Sequence, residues 1–596
     1  MTVEAPERIE SVPGGAFLTG PVGPGGIFTI EDLGDEQRAI RDAVGAFVER
    51  EVGSRREAVE ARDYEVHRTL LETLGRDGYL GIDVPEAYGG AGLDLVTSLV
   101  ATEAMAGAGS FAVTFSAHTG IGTMPLIFFG TEDQKRRFLP GLAAGTTVGA
   151  YALTEPSAGS DAMAIRARAV RAEDGSWRLD GSKQFISNAG FADLFTVYAK
   201  VDGERFSAFL VERTTPGLSI GPEEDKLGLH GASTCPVTLE GAVIPADALL
   251  GEEGKGHRVA FNVLNLGRFK LAGGCLGGMR PTVGVAAAYA AQRTAFGRHL
   301  IEFPLIGAKL VGMTARTYAV ESVVYRIAGL LQARLMAAED ADSPEATRKA
   351  LEEYAVECSL AKVLASEELG HVVDELVQVH GGYGYVEAYP AAVAYRDARI
   401  HRIWEGTNEI NRLLVPGTLL KRAMTGRLDL LGPARRAGDA LTAGDLPSFD
   451  GSLAEERAWV SATRTITLLL AGSAVERFGT GLEEEQEVLV GLADLAIDLF
   501  VMESVVERAA KIAGAGEGGA AGSAPVHEDL ARLVVAERAA TVEGRARGLS
   551  ARVAAGDQAR TLVAGIRRLM RGEPRDRIAI SRRVAAAVTA AGGYPV

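Results

Sequence analysis

Glu405 is the side chain around which chemistry is most readily built. It lies in IHRIWEGTNEINRLLVPG, residues 400 to 417, between the large aromatic Trp404 and Gly406. Thr407 and Asn408 follow, and both residue types accept hydrogen bonds from the free N–H groups of a helix start. An apolar-periodic run comes next, and Pro416-Gly417 reads as its end. A helix N-terminus at this place would attract an anionic group such as a phosphate. Gly406 permits backbone geometry that a side chain would forbid. The pattern describes a carboxylate on a bend, flanked by an aromatic wall and an anion site. The same residues also describe a capped surface helix with a solvated glutamate.

Four other stretches carry residues suited to a ligand. In YALTEPSAGSD (151–161) the small Ser157, Ala158 and Gly159 let backbone approach a ligand closely. KQFISNAG (183–190), QRTAFGRHL (292–300) and QVHGGYGY (378–385) follow in chain order. With IWEGTNEI, these segments resemble the acyl-CoA dehydrogenases, in the same order and over most of residues 37 to 420. The length of the chain and its tail beyond residue 420 resemble the very-long-chain branch of that family.

That resemblance implies an FAD-dependent α,β-dehydrogenation of long-chain acyl-CoA thioesters to trans-2-enoyl-CoA in fatty-acid β-oxidation. The α-proton is weakly acidic, so a base must sit beside it while the thioester carbonyl is polarised. The β-hydrogen leaves as hydride to the flavin N5, and the protein supplies orientation and electrostatics. Carried over by position, Glu405 is the base, and its backbone N–H shares the thioester oxygen with a flavin hydroxyl. Tyr151, Leu153, Thr154, Gly159 and Ser160 match the flavin and substrate loop, with Thr154 at the ring and Ser160 at the CoA. Phe185 and Ser187 match residues beside the ring and N5, where the family often has Trp and Thr. The bland reading of Phe185 is sheet core. Arg293 matches an arginine that meets the FAD pyrophosphate of a neighbouring subunit, with Phe296 beside it. Its planar donors suit phosphate. Gln378, Val379, Gly381 and Gly382 match the adenine and phosphate segment, while His380 reads as structural. Thr407 and Glu409 match the last FAD contacts, and Pro304 stands where shorter-chain relatives have an FAD-binding glutamine. For the substrate, Arg268 matches a CoA contact, and Trp404 and Gly406 line the reacting carbons. Gly120 and Gly122 match small residues at the floor of a long acyl cavity; close helix packing would also call for small residues there.

Those residues need elements to hold them. With 596 residues the chain can build several domains with large cores. Its 47% hydrophobic and 23% charged residues are ordinary for a globular protein. A net charge of −16 argues against a nucleic-acid partner. Cys235, Cys275 and Cys358 have no metal spacing and read as small buried residues in a reducing compartment. No secretory signal and no uninterrupted apolar run of bilayer length is seen, so the expectation is cytoplasmic.

The predicted fold is mostly α with a central β domain. Residues 1–36, rich in Gly and Pro, read as an extended arm or a disordered tail. Residues 37–150 form a helical domain, with Ile40, Val44, Phe47 and Val48 on one stripe and FSAHTGIGTMPLIFFG buried all round. Residues 151–255 form an antiparallel β domain, with hairpin turns expected at Asp180-Gly181 and Asp202-Gly203. Residues 256–425 form a helical catalytic domain, a four-helix domain by the resemblance. A polar stretch leads to a further C-terminal helical domain at 450–596. In it the low-complexity AGAGEGGAAGSAP (513–525) is expected as a loop, followed by two helices. Their end carries Arg567, Arg568, Arg571, Arg575, Arg577, Arg582 and Arg583, a solvated, ion-paired face or a surface for anionic lipid. The resemblance implies a homodimer, electron-transfer flavoprotein as acceptor, and peripheral contact with the inner face of the membrane. The same scaffold also serves oxidases and non-catalytic binding proteins.

Overall fold

A computed structural model gives the fold and describes residues 9–23, 26–443, 447–514 and 524–596. The chain divides into two compact units, and the division falls inside the helix Gly256–Gln292.

One unit comprises Gly34–Gly277 and Ala338–Glu352. It contains the short N-terminal helices and an eight-stranded sheet: β1 (Gly149–Ala152), β2 (Arg168–Arg171), β3 (Trp177–Ser187), β4 (Leu194–Val201), β5 (Arg205–Glu212), β6 (Leu218–Ile220), β7 (Thr234–Ile244) and β8 (Leu249–Leu250). The order is β6-β7-β3-β2-β4-β5-β8, with β1 pairing β4 off that path. The ladders are antiparallel except β1 with β4 and β2 with β4, which are parallel, so the sheet is mixed rather than wholly antiparallel. Helices and sheet share one apolar core. Leu70, Leu74 and Phe111 from the helices meet Trp177, Phe195 and Phe209 from the strands. Within the predicted stripe Val44, Phe47 and Val48 are buried, and Ile40 packs beside them.

The Asp-Gly turns fall differently from the sequence reading. Asp202-Gly203 turns between β4 and β5 with φ of 52° and 80°, the positive pair of a type I′ turn. Asp180-Gly181 is not a turn. It lies inside β3, at a register shift against β7. The β2–β3 turn uses Asp174-Gly175 instead, where Asp174 Oδ1 accepts from Ser176 N at 3.0 Å and Gly175 has φ 86°. Glycine is required at 181 because Ala167 crosses it: an added Cβ would lie 2.7 Å from the Ala167 Cα, at φ 150°.

The other unit contains the chain up to Leu33, Gly278–Ala337 and Glu353–Val596. Its long helices include Pro304–Met336, Ala355–His380 and Asn408–Met424. Pro304 opens the first of these at N1, where a missing N–H costs nothing. Pro416 does not end the last. The helix runs through it to Met424, because Val415, Pro416 and Leu419 face inward and their burial outweighs one lost backbone bond. The described arm packs: Gly15 N donates to Glu357 Oε1 at 2.7 Å, Arg464 Nε to the Phe17 carbonyl at 2.9 Å, and the Phe17 ring meets Phe500 edge-on at 5.0 Å.

The stretch after Thr425, read as a polar connection, contains the helix Leu431–Ala443. Gly432 and Pro433 sit in its first turn, where proline is tolerated, and alanine and leucine favour helix beyond it despite Gly438. In the C-terminal domain the low-complexity residues 515–523 lie outside the described residues. Three helices follow rather than two: Ala524–Val553, Gly556–Leu569 and Arg577–Ala591. Among the basic residues at its end, Arg575 pairs with Glu455 and Glu456 at 2.6 and 2.5 Å, and Arg583 with Asp529 at 2.6 Å. Two helical runs, Ser110–Phe129 and Ala454–Glu484, have the length and apolar composition to cross a bilayer; 72% and 56% of their apolar windows are buried inside the protein.

The two glycines give a measurable contrast. Gly203→Ala meets no neighbour and carries only the left-handed φ, about 1 kcal/mol. Gly181→Ala adds the collision with Ala167 and is expected to cost about 3 kcal/mol. Denaturant unfolding of both variants compares them, and equal costs would contradict the close crossing.

Candidate active site

Glu405 occupies a backbone position that few side chains adopt. Its φ is 57° and that of Gly406 is 78°, so two consecutive residues are left-handed. Such strain persists only where the surroundings impose it. The carbonyl groups of this bend supply the restraint. Lys362, fully buried, donates from Nζ to the Gly406 carbonyl at 2.7 Å and to Asn408 Oδ1 at 2.8 Å. Asn411 Nδ2 donates to the Gly406 and Thr407 carbonyls at 2.8 and 3.0 Å, and more distantly to that of Glu405. Thr407 caps the helix Asn408–Met424, accepting from Ile410 N at 3.3 Å. Glu409 is exposed in the first turn. The sequence reading found the cap and the bend, but it placed Asn408 with Thr407 at the helix start, where its side chain instead meets Lys362, Ser366 and Glu367, and it assigned nothing to Lys362 or Asn411. A lysine and two asparagines in helical segments look like solvated residues until the fold buries them.

Trp404 packs edge-on against His401 with ring centroids 5.1 Å apart. Its indole Nε1 is buried without a hydrogen-bond partner among the described residues, a donor that a ligand would satisfy. Desolvation pushes the His401 imidazole down to about 4, so it is neutral at ordinary pH. His380 is buried, stacks on Tyr289 at 4.0 Å, and bonds from Nδ1 to the Leu376 carbonyl at 2.8 Å, which accounts for it structurally. Val379 points inward, while Gln378, Gly381 and Gly382 are exposed. A Cβ at either glycine would meet nothing within 4 Å. Arg293 is exposed, its guanidinium 5.6 Å from the Tyr383 ring centroid. Phe296, 96% exposed with φ 52°, stands at the tip of a two-residue hairpin with Gly297. An aromatic held out in a strained turn is costly in water and suits a surface that another molecule covers.

The sheet-bearing unit contains the other predicted segment group. Tyr151 and Leu153 are buried, with the Tyr151 ring 5.0 Å from Tyr198. Thr154 accepts at its carbonyl from Gln184 N at 2.9 Å, which ties the loop after β1 to β3. Glu155 and Ala158 exchange backbone bonds of 3.0 and 3.1 Å, so the loop is closed on itself. The Glu155 carboxylate then accepts from Arg166 N, Ala167 N and the buried Lys183 Nζ at 2.6, 3.0 and 2.7 Å. Burial pushes the pKa of such a carboxyl up, but Lys183 and these amides override it and hold Glu155 below the usual range. Gly159 and Ser160 are left exposed at the outer end, with open space where a Gly159 side chain would be. Two residues after Lys183, Phe185 is 58% exposed at φ 59°, on a register shift of β3. It is therefore not sheet core. Ser187 is half-buried opposite Thr234. Neither Glu155 nor Lys183 was singled out from sequence. The signal was an inward-facing lysine in a strand, which needs a buried acid.

Arg268 is almost wholly buried and donates from Nη1 to Asn265 Oδ1 at 2.9 Å. The two small residues of the acyl-floor reading separate. Gly122 abuts β1: a Cβ there would lie 2.8 Å from the Gly149 carbonyl carbon, so close packing explains it. Gly120 is buried, yet beyond its own helical turn nothing lies within 4 Å of a Cβ position. Both lie in a π-helical turn, Ala117–Gly122, a local widening common at functional sites. His118 in that turn bonds to the Leu142 carbonyl at 2.9 Å and accepts from Gly149 N at 3.1 Å. These partners place its proton on Nε2 and leave Nδ1 as an acceptor.

Each unit taken by itself leaves an exposed aromatic at positive φ and open space at a glycine, and the unit with Trp404 adds a buried indole N–H; features of this kind suit a flat apolar ring with phosphates attached. Comparisons with known proteins give the class. Family models match in chain order: the acyl-CoA dehydrogenase N-terminal domain at residues 34–146, the middle domain at 150–242, the C-terminal domain at 254–420, and a second model named acyl-CoA dehydrogenase, C-terminal domain, at 462–568. The chain is 42% identical over 588 residues to a probable acyl-CoA dehydrogenase of Bacillus subtilis, covering 98% of each. It is 35% identical over 484 residues to the human mitochondrial very long-chain specific acyl-CoA dehydrogenase, covering 75% of this chain and 70% of that one. A crystal structure of an acyl-CoA dehydrogenase complexed with FAD from Bacillus anthracis matches with a TM-score of 0.96 and 42% identity, covering 98% of this chain and all of that one. The chain belongs to the acyl-CoA dehydrogenase family. It is an FAD-dependent oxidoreductase.

Burial holds the His118 imidazole down to about 4, against an ordinary 6.5. Between those values the unfolded chain binds a proton that the folded chain refuses, so stability is full above 6.5 and is lost as pH falls toward 4. The contribution is about 3 kcal/mol at most. Unfolding free energies measured across this range should fall less steeply for His118→Gln than for the wild type; parallel profiles would contradict the assignment.

Proposed function

We infer that this enzyme dehydrogenates long-chain acyl-CoA thioesters between Cα and Cβ, with Glu405 as the base that removes the α-proton. The observation that carries this reading is the left-handed Glu405–Gly406 pair, restrained by Lys362 and Asn411 and followed by a capped helix start. That restraint fixes where the carboxylate leaves the backbone, and a base is effective only when held within hydrogen-bond reach of its proton. The Glu405 N–H is the donor for the thioester oxygen, where charge develops as the proton leaves. Trp404 and Gly406 border the reacting carbons, and Arg268 and Ser160 serve the CoA portion.

Thr154, Phe185 and Ser187, with Tyr151, Leu153 and Gly159, would hold the ring portion of FAD. Arg293, Phe296, Gln378, Val379, Gly381, Gly382, Thr407 and Glu409 would hold its phosphates and adenine. FAD supplies the acceptor for the β-hydride. Two copies of the chain pair as a homodimer, and an electron-transfer flavoprotein collects the electrons. The open volume at Gly120 supports a long acyl chain, whereas Gly122 contributes only packing.

Two substitutions test the reading. Glu405→Gln should retain FAD and its visible spectrum, yet lose palmitoyl-CoA-dependent bleaching under anaerobic conditions by at least about 10³-fold. Retained bleaching would remove Glu405 as base. Gly120→Gln should shift the preferred acyl-CoA toward shorter chains in a steady-state chain-length series, and an unchanged profile would remove the tunnel assignment.

A further inference from the structure

The restraint on the base bend does not end at Lys362. Asn408, which accepts from that lysine, donates from Nδ2 to Ser366 Oγ and to Glu367 Oε1, both at 3.0 Å. Glu367 in turn receives both terminal nitrogens of Arg412, at 2.7 and 2.8 Å. The remaining Arg412 donor, Nε, goes to Asp494 Oδ1 at 2.7 Å. Asp494 lies in the helix Gln486–Gly514, inside the second C-terminal domain that begins beyond residue 450. A continuous line of bonds therefore runs from that domain to the carbonyl beside Glu405. Arg412 is one turn into the helix that Thr407 caps, so its fork pins the first turn of that helix on two sides. Its side chain is mostly out of water, where a bidentate guanidinium is a stiff link. Burial would push the Glu367 carboxyl up, but the Arg412 guanidinium holds it below the ordinary range and keeps it charged.

We propose that the second C-terminal domain holds the catalytic-base bend in its working conformation through Asp494 and Arg412, which are positioning residues for proton abstraction. The inference rests on Glu405 being the base. The energetic reason lies in the strained backbone. A left-handed glutamate relaxes when its surroundings allow, and the carboxylate then leaves the reach of the α-proton. Without Asp494, Arg412 still grips Glu367, but the first helical turn loses its tie to the added domain. Without Arg412, both ties are lost.

The test is anaerobic stopped-flow bleaching of the holoenzyme by palmitoyl-CoA, for wild type, Asp494→Ala, Asp494→Glu and Arg412→Leu. The rate constant refers only to protein that carries flavin, so a variant that merely folds less well changes the amplitude and not the rate. Arg412→Leu is expected to lower that rate constant about 10- to 100-fold, and Asp494→Ala about 3- to 10-fold. Asp494→Glu should restore it to within about twofold of wild type. The isotope effect with α-deuterated substrate should rise in the slowed variants, and the substrate concentration for half-maximal rate should change little. Wild-type rate constants in Asp494→Ala overturn the proposal, whether or not Arg412→Leu folds. Glu405→Gln is run beside them: if it bleaches, the base assignment has failed; if it does not and Asp494→Ala is normal, only the positioning role has failed.

Discussion

The buried ammonium of Lys362 is the constraint from which much of the base segment follows. Moving an ammonium out of water is expensive unless several oxygens replace its shell. Here two of those oxygens are the Gly406 carbonyl and the Asn408 side chain. The ammonium therefore attracts the bend inward, and Asn411 adds its amide protons from the following turn. Drawing these carbonyls to one place requires the chain to reverse within two residues. Left-handed geometry at Glu405 and Gly406 is how it does so. Glycine takes that conformation freely, whereas glutamate takes it at about 1 to 2 kcal/mol. The position of the carboxylate is thus set by the backbone and not by its own flexible side chain.

The sheet-bearing unit repeats the device with different parts. Lys183 and Glu155 are both withdrawn from solvent and satisfy each other. Each also holds backbone: Lys183 donates to the Leu153 carbonyl at 3.2 Å, and Glu155 accepts from two amides near β2. Next to this anchor, β3 slips its register and leaves Phe185 exposed in a left-handed conformation. A buried ion pair is weak evidence for stability, since well-packed apolar residues often do as well. Apolar residues, however, could not hold the carbonyl and amide groups of an irregular loop, because those groups need partners wherever water is excluded. At both places the charged pair or cation stands where the backbone departs from helix or strand.

Much of the architecture was legible in sequence because it depends on local signals. The order of helices, sheet and helices, the apolar stripe at Val44 and Phe47, the buried segment around Gly120 and the Thr407 cap all follow from residue type and spacing. The misreadings arose where a distant contact decided. Asp180-Gly181 has turn composition, but the glycine is there because Ala167 crosses it, 14 residues away in sequence. Pro416 has the composition of a helix end, but its helix is held by an inward face that local rules do not see. Leu431–Ala443 is short on apolar residues and rich in alanine, so periodicity alone gave it no shape. In the candidate site, sequence gave the residues that could face a ligand. It did not give those that hold them, because Lys183, Lys362 and Asn411 resemble ordinary polar residues until their surroundings are known.

The added C-terminal domain can be read in the same terms. Beside their apolar packing, its helices are tied to the catalytic helices by arginine and carboxylate: Arg538 joins Asp498 to Glu368, Arg326 joins Glu503 at 2.7 Å, and Arg412 joins Asp494 to Glu367. Glu367 and Glu368 are neighbours in one helix and are held by separate arginines. Hydrophobic attraction alone tolerates small shifts of one helix along another, because it is non-directional and register then depends on side-chain shape. Forked ion pairs do not, because each guanidinium accepts its carboxylate in one plane and at one distance. Pairs of this kind add little net stability, yet they specify register. That is the property a strained bend requires of its support: the loop is held only as accurately as the helix from which it is suspended, and the helix only as accurately as the carboxylates that flank Arg412.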